Sequence, residues 1–149
     1  MLFPTAGCRF YIADAPDAGA LPATGWVEIA ETEALGVLGV EWGTEGADII
    51  EDCAVDHAVE VVVKSVLRRP PMPVILGLDV SDPGQMLLRR AALSTAAYPF
   101  RLVFPDGVTT RGWFALVLAL SEVFDTANGV MKLQADLKQT SPIIRSEEP

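Results

Sequence analysis

The sequence predicts an α+β fold, mainly β: a two-sheet antiparallel sandwich or barrel flanked by one α-helix over about residues 82–96. Three observations carry this. Apolar and polar residues alternate with a period of two along most of the middle and end of the chain. One stretch, "SDPGQMLLRRAALSTA", changes to helical spacing. Turn-forming residues separate the alternating stretches, as in "FPDGV" and "DTANGV". At 149 residues the chain is expected to form one domain, 1–149, able to bury a core without disulfide or metal staples.

Residues 1–25 hold three prolines and several glycines, so a flexible N-terminal arm is expected there, with one short strand around Arg9–Ala13. "CAVDHAVEVVVKSVL" sets Val55, His57, Val59, Val61 and Val63 on one face, and Asp56, Glu60 and Lys64 on the other. "RRPPMP" is a connection that no helix or central strand crosses. "VILGLDV" after it is expected to return as the hairpin partner of the preceding strand. In the helix, Ser81 or Asp82 can cap and Pro83 suits the first turn, while Met86, Leu87, Arg90 and Leu93 recur at helical spacing.

"YPFRLVF" alternates again, and "PDG" supplies a turn. The next strand, Val108 to about Val123, is apolar at even positions (Phe114, Leu116, Leu118, Leu120) and at odd ones (Trp113, Ala115, Val117, Ala119). An antiparallel strand with one wet face would alternate, so this one needs cover on both faces. The expectation is a shared cover: the helix on part of it and an adjacent subunit on the rest, with Trp113, Ala115 and Val117 as candidate interface residues. "VMKLQADLKQT" then opposes Met131, Leu133, Ala135 and Leu137 to Lys132, Gln134, Asp136 and Lys138, completing a three-stranded meander. Residues 143–149 form a short polar tail.

Composition narrows the function. Half of the residues are hydrophobic and mean hydropathy is +0.33, which suits apolar surface buried between subunits. The net charge of −9 leaves no basic footprint for gripping nucleic acid through its phosphates. No Lys or Arg stands between Arg9 and Lys64, whereas twelve acidic residues do. That sign asymmetry suits head-to-tail contact between copies. The run Trp113–Leu120 is far shorter than the roughly 20 residues of a membrane span, and "MLFPTAGCRF" lacks the basic and apolar regions of a signal peptide. No membrane association is expected.

Nor does catalysis announce itself. The sequence lacks a nucleophile elbow, a P-loop, a GxGxxG and an HExxH. His57 is the sole histidine, and Cys8 and Cys53 make no zinc pattern and are expected to be reduced thiols. Asp48, Asp52, Asp56 and His57 could ligate a divalent cation but lack calcium-loop spacing. The expectation is no enzyme, no cofactor and no metal. Arg68-Arg69 and Arg89-Arg90 are expected to pair with the chain's own carboxylates, and Trp26, Trp42 and Trp113 to serve core or interface.

The order of elements then resembles the major tail-tube proteins of long non-contractile-tailed phages and of gene-transfer-agent tails. The residues that carry it are the "DPGQ" helix start, Arg101, the turn Phe104, Pro105, Asp106 and Gly107, then Arg111, Gly112 and Trp113, and finally Gly129 and Pro142. "GWVEIAETEAL" is similar to the family's opening, and the likeness spans about residues 24–143. The resemblance implies a subunit that self-assembles into rings of six, stacked into a tube that conducts double-stranded DNA. It implies tape-measure, terminator and distal-tail partners, location in the virion and assembly in the host cytoplasm. Within that frame Asp56, Glu60, Lys64, Lys132, Gln134 and Asp136 are candidates for the lumen. The acidic segment with Glu41, Glu45, Asp48, Glu51 and Asp52 is the candidate inter-ring loop. A terminator or head–tail joining ring of the same fold is the alternative within the class. A small metal-assisted enzyme or ligand-binding barrel is the alternative outside it.

Overall fold

The structure, a computed structural model, describes residues 2–50, 58–124 and 126–146, with 47–50 and 58–60 described as backbone alone. Its elements run β1 (Arg9–Ala13), β2 (Trp26–Ile29), β3 (Thr32–Ala34), β4 (Glu41–Ile50), β5 (Ala58–Arg68), β6 (Met72–Gly77), α1 (Pro83–Leu93), β7 (Tyr98–Val103), β8 (Thr110–Val123), β9 (Lys132–Gln139) and β10 (Ile144–Ser146). Two compact units emerge, one from Met1–Val37 with Pro71–Pro149, the other from Leu38–Pro70.

The first unit holds one eight-stranded antiparallel sheet in the order β2-β1-β7-β8-β9-β6-β3, with β10 also paired to β8. The second is the two-stranded pair β4–β5. Two antiparallel sheets and one helix are thus present, with no closed barrel among the described residues. The strands are shared out differently from expectation. β6 pairs with β9 and β3, not with β5. The acidic stretch expected as a loop is strand β4 as far as Ile50. Val61 and Val63 gain no apolar cover within β4–β5, where both are exposed like Val62, Val66 and Leu67. The expected arm contains β1, which pairs on both edges and buries Phe10 and Ile12 fully. The tail, too, begins with a paired strand, β10.

One face of the large sheet is the core. Register partners continue it from strand to strand: Phe10 with Ile29, Phe100 with Trp113, Val117 with Leu137, Leu137 with Met72, and Leu133 with Leu76. All of these are buried. Phe10, Phe100 and Trp113 stack near-parallel with ring centroids 5.6–6.3 Å apart, geometry worth about 0.5–1.5 kcal/mol per pair beyond burial. Helix α1 adds Leu87, Leu88 and Ala91 to the core. Its buried face also includes Gly84 and Gln85, whereas Met86 and Leu93 point to solvent. The apolar spacing through 86, 90 and 93 therefore marks the wrong side. The true face is amphipathic only if a glycine and a glutamine count as interior.

They do, for reasons visible in "DPGQ". Asp82 caps the helix, its Oδ2 accepting from the backbone N–H groups of Gln85 at 3.0 Å and Ala30 at 3.1 Å. Pro83 occupies the first turn, where no N–H is needed. Gly84 lies directly on β2: a Cβ there would fall 2.7 Å from the carbonyl carbon of Glu28 and from Cα of Ile29. Gln85 donates to the carbonyls of Gly77 (2.8 Å) and Ala30 (3.2 Å) and accepts from Asp79 N–H (3.0 Å). The helix start thereby joins the ends of β2 and β6.

The "PDG" turn is equally determinate. Gly107 sits at φ +76° and donates to Phe104 O, and Phe104 N–H donates to Thr109 O at 2.9 Å. Asp106 Oδ1 accepts from Val108 and Thr109 N–H, and Oδ2 from the Thr109 hydroxyl at 2.7 Å. These bonds, the one from Val108 N–H foremost, hold the Asp106 pKa below the usual carboxylate range.

Two stability predictions follow from these contacts. Gly84→Ala is expected to lower the unfolding free energy by about 1–3 kcal/mol through overpacking. Gln85→Leu, which strands two carbonyls and one N–H, should lower it by roughly 3 kcal/mol or more at 1–3 kcal/mol per buried unpaired group; urea unfolding measures both. For Asp106, the folded value lies below the unfolded one of about 3.9. Its stabilisation is therefore complete above that pH and is lost as pH falls through the folded value. The urea midpoint of Asp106→Asn should fall less steeply with acid than that of the wild type.

Candidate functional site

The features that stand out chemically are surfaces. Among the described residues no group of three or more His, Cys, Asp or Glu is arranged to hold a metal. Asp52, Asp56 and His57 lie outside the described residues, as do Cys53 and Glu51. Burial pushes the Cys8 thiol pKa up, away from the thiolate that a nucleophile needs. No described helix is long and apolar enough to cross a membrane.

Strand β8 carries the first surface. Its two apolar faces have two causes. From Gly112 to Val117 the strand is covered twice by its own chain. Trp113, Ala115 and Val117 lie in the core, and Leu21 of the N-terminal segment fills the space that a side chain at 112 would need, on the opposite face. The interface expected at Trp113, Ala115 and Val117 is therefore not there. Those residues are 0–7% exposed and have no surface to offer. At Leu118 the register with β9 slips by one residue, so that Val117 pairs with Leu137 but Ala119 with Asp136 and Leu120 with Ala135. This bulge switches the inward parity from odd to even. Leu118, at the slip, is 61% exposed, and Phe124, just past the end of the strand, is 58% exposed.

The same half of β8 has an open edge. β7 pairs only as far as Ala115, through Tyr98, and β9 occupies the opposite edge from Ala115 to Val123. Beyond Ala115 the β7-side edge has no strand partner among the described residues. An unpaired edge beside exposed apolar side chains is a template for another strand. Arg89 of α1 reaches Glu122 at 2.9 Å, and Arg90 reaches Asp14 at 3.1 Å, so the 89–90 doublet pairs internally as expected.

The second surface is the outer face of β9. Lys132, Gln134 and Asp136 alternate with the buried Leu133, Ala135 and Leu137. Ser121 and Ala119 flank them on β8, Ile75 and Pro73 on β6. Lys132 bridges to Glu33 at 3.1 Å. The face is thus polar, of mixed sign and lined by small neighbours. Lys64 belongs to the other unit, its ammonium 5.2 Å above the Trp42 ring. Glu60 is described by backbone alone, in register with Asp48, and Asp56 lies outside the described residues.

The third surface is a hollow of about 520 Å³ on the outer face of β1 and β7, lined by Arg9, Tyr11, Arg101, Phe104 and Thr110 among others. Arg101 meets two rings, its guanidinium carbon 4.8 Å from Tyr11 and 4.9 Å from Trp26. Sequence reasoning passed over this hollow because its two arginines stand 92 positions apart. The β1–β7 register alone brings Tyr11 opposite Arg101 and Arg9 opposite Val103.

No family model matches the sequence, and no curated protein matches it. Solved structures do match in backbone. The chain is similar to the SPP1 tail tube, with TM-score 0.63 and 12% identity over 99% of this chain and 80% of that one. It is similar to the sheath/tube terminator of the extracellular contractile injection system PVC, with TM-score 0.64 and 10% identity over 97% and 96%. It is also similar to the tail of an empty GTA particle refined with C6 symmetry, with TM-score 0.61 and 10% identity over 96% and 98%. The chain has the tail-tube fold.

If the end of β8 is surface and its beginning core, substitutions should separate cleanly. Leu118→Ser and Phe124→Ser are expected to change unfolding free energy by no more than about 0.5 kcal/mol. Trp113→Ala should cost about 3–5 kcal/mol. Equal losses at all three positions, read by urea unfolding, would place the whole strand in the core.

Proposed function

We propose that this chain is a structural subunit that self-assembles into stacked rings of six, forming a tail tube through which double-stranded DNA passes. The observation that carries the reading is the second half of β8. In a chain with the tail-tube fold, that stretch joins an unpaired edge to exposed Leu118, with Phe124 exposed just beyond it, as a strand-to-strand joint between copies requires. Six copies closing in this heterologous way would satisfy every such edge, which a monomer cannot do.

The outer face of β9 is the proposed lumen wall. Lys132, Gln134 and Asp136 present mixed charge and short reach, on a chain of net charge −9. Such a wall offers phosphate no net attraction and the chain as a whole repels it, so DNA slides through without adhering. β4, with Glu41, Glu45 and Asp48, is the proposed ring-to-ring element. Tape-measure, terminator and distal-tail proteins are the proposed partners, the virion the proposed location, and no catalytic role is assigned. The likeness to a tube terminator supports a second reading, a single capping ring of the same fold.

Negative-stain microscopy of the purified chain tests the proposal. Tubes that lengthen with concentration are expected; discrete rings at every concentration would favour the terminator, and a persistent monomer would overturn both. Leu118→Asp, placing charge at the joint, should abolish rings while leaving the monomer's unfolding midpoint close to that of the wild type.

A further inference from the structure

We infer that the arginine hollow on β1 and β7 receives the acidic strand β4 of a second copy, with the Glu45 carboxylate seated between Arg9 and Arg101. This rests on the proposed function and names the contact that stacks one ring on the next.

The hollow has unmet charge. Neither Arg9 nor Arg101 makes an ion pair with any described residue, although Arg89, Arg90 and Lys132 all do. Arg101 is also costly to leave alone. Tyr11 and Trp26 lie 4.8 and 4.9 Å from its guanidinium carbon, and its Nε–H is buried without a hydrogen-bond partner among the described residues. A guanidinium fixed in this way loses little entropy on meeting a carboxylate, and its fork matches one. Phe104 and Pro105 add an apolar rim beside the arginines.

The occupant is chosen by complementarity on this same chain. β4 is acidic, Glu41, Trp42 and Glu45 are exposed, and the apolar Trp42 suits a mixed basic and aromatic hollow. Within it, Glu41 stands in register with Arg68, while Glu45 stands in register with Val63 and has no ion pair among the described residues. Glu45, exposed and opposite an uncharged residue, is the carboxylate assigned to the hollow. The absence of any Lys or Arg between Arg9 and Lys64 concentrates negative charge in that region. A double-stranded nucleic acid would also offer anions, but the net charge of −9 opposes its approach.

The test uses the full chain and reads two quantities, tube formation by microscopy and folding by urea unfolding. Arg9→Glu and Glu45→Arg, both at exposed positions, should keep the wild-type unfolding midpoint. Each should yield rings that stack only at about tenfold higher concentration or fail to stack. Arg101→Gln, which removes the charge and the guanidinium fork but leaves a polar side chain, should act in the same direction. The double variant Arg9→Glu with Glu45→Arg should restore stacking to within about threefold of wild type, and stacking should weaken as salt rises above about 0.15 M. If wild type forms tubes and either single variant forms them equally well, or the double variant is no better than the worse single one, the inference falls while the proposed function stands. A wild type that stays monomeric overturns the proposed function and this contact with it. Retention of a DNA duplex by wild type at about 0.15 M salt, lost in Arg101→Gln, assigns the hollow to phosphate and overturns the inference.

Discussion

A sheet of eight strands ends in backbone groups that need partners, and at one place in this fold two such ends meet. Ala30 follows β2, at one end of the strand order, and Gly77 closes β6, next to the other end. Their carbonyls share the carboxamide of Gln85, and the Ala30 N–H takes the carboxylate of Asp82. Buried peptide groups without partners are costly, so the junction of these two strand ends depends on this helix start, beside the Gly77 N–H bond to Glu31 O. Everything else that α1 contributes, Leu87, Leu88 and Ala91 in the core, follows once its first turn is fixed against β2.

The sequence disclosed those parts of the fold whose causes are local. Period two marks β7 and β9, and an apolar run after a turn marks β8. "PDG" placed a turn that Asp106 and Gly107 complete, and Asp82 and Pro83 placed the start of the helix. The helix face was misread because Gly84 and Gln85 look solvent-facing by type; only the close approach of β2 and two orphan carbonyls make them interior. Strand pairing was misread where the determinant is long-range. β6 follows β5 closely in sequence, yet its alternating Met72, Val74 and Leu76 match β9 across the core.

The candidate surfaces were legible to different degrees. Lys132, Gln134 and Asp136 share a face because alternation alone dictates it. The apolar run of β8 is plain in the sequence, but its exposed part lies at Leu118 and not at Trp113, Ala115 and Val117. Trp113, the most eye-catching residue of that run, is fully enclosed by Phe10, Phe100 and their neighbours. No periodicity argument anticipates a one-residue slip. The arginine hollow needs two residues far apart in the chain, and only the β1–β7 register unites them.

That slip at Leu118 has a wider meaning. It divides a single strand into a half answerable to the chain's own interior and a half answerable to whatever lies outside. Mutations in the outer half can therefore be tried without endangering the fold, and those in the inner half cannot compensate for them. A lineage of such proteins could exchange its neighbours, and with them the diameter or termination of an assembly, while inheriting an unchanged core. The bulge works as a hinge for evolutionary change, though not for motion.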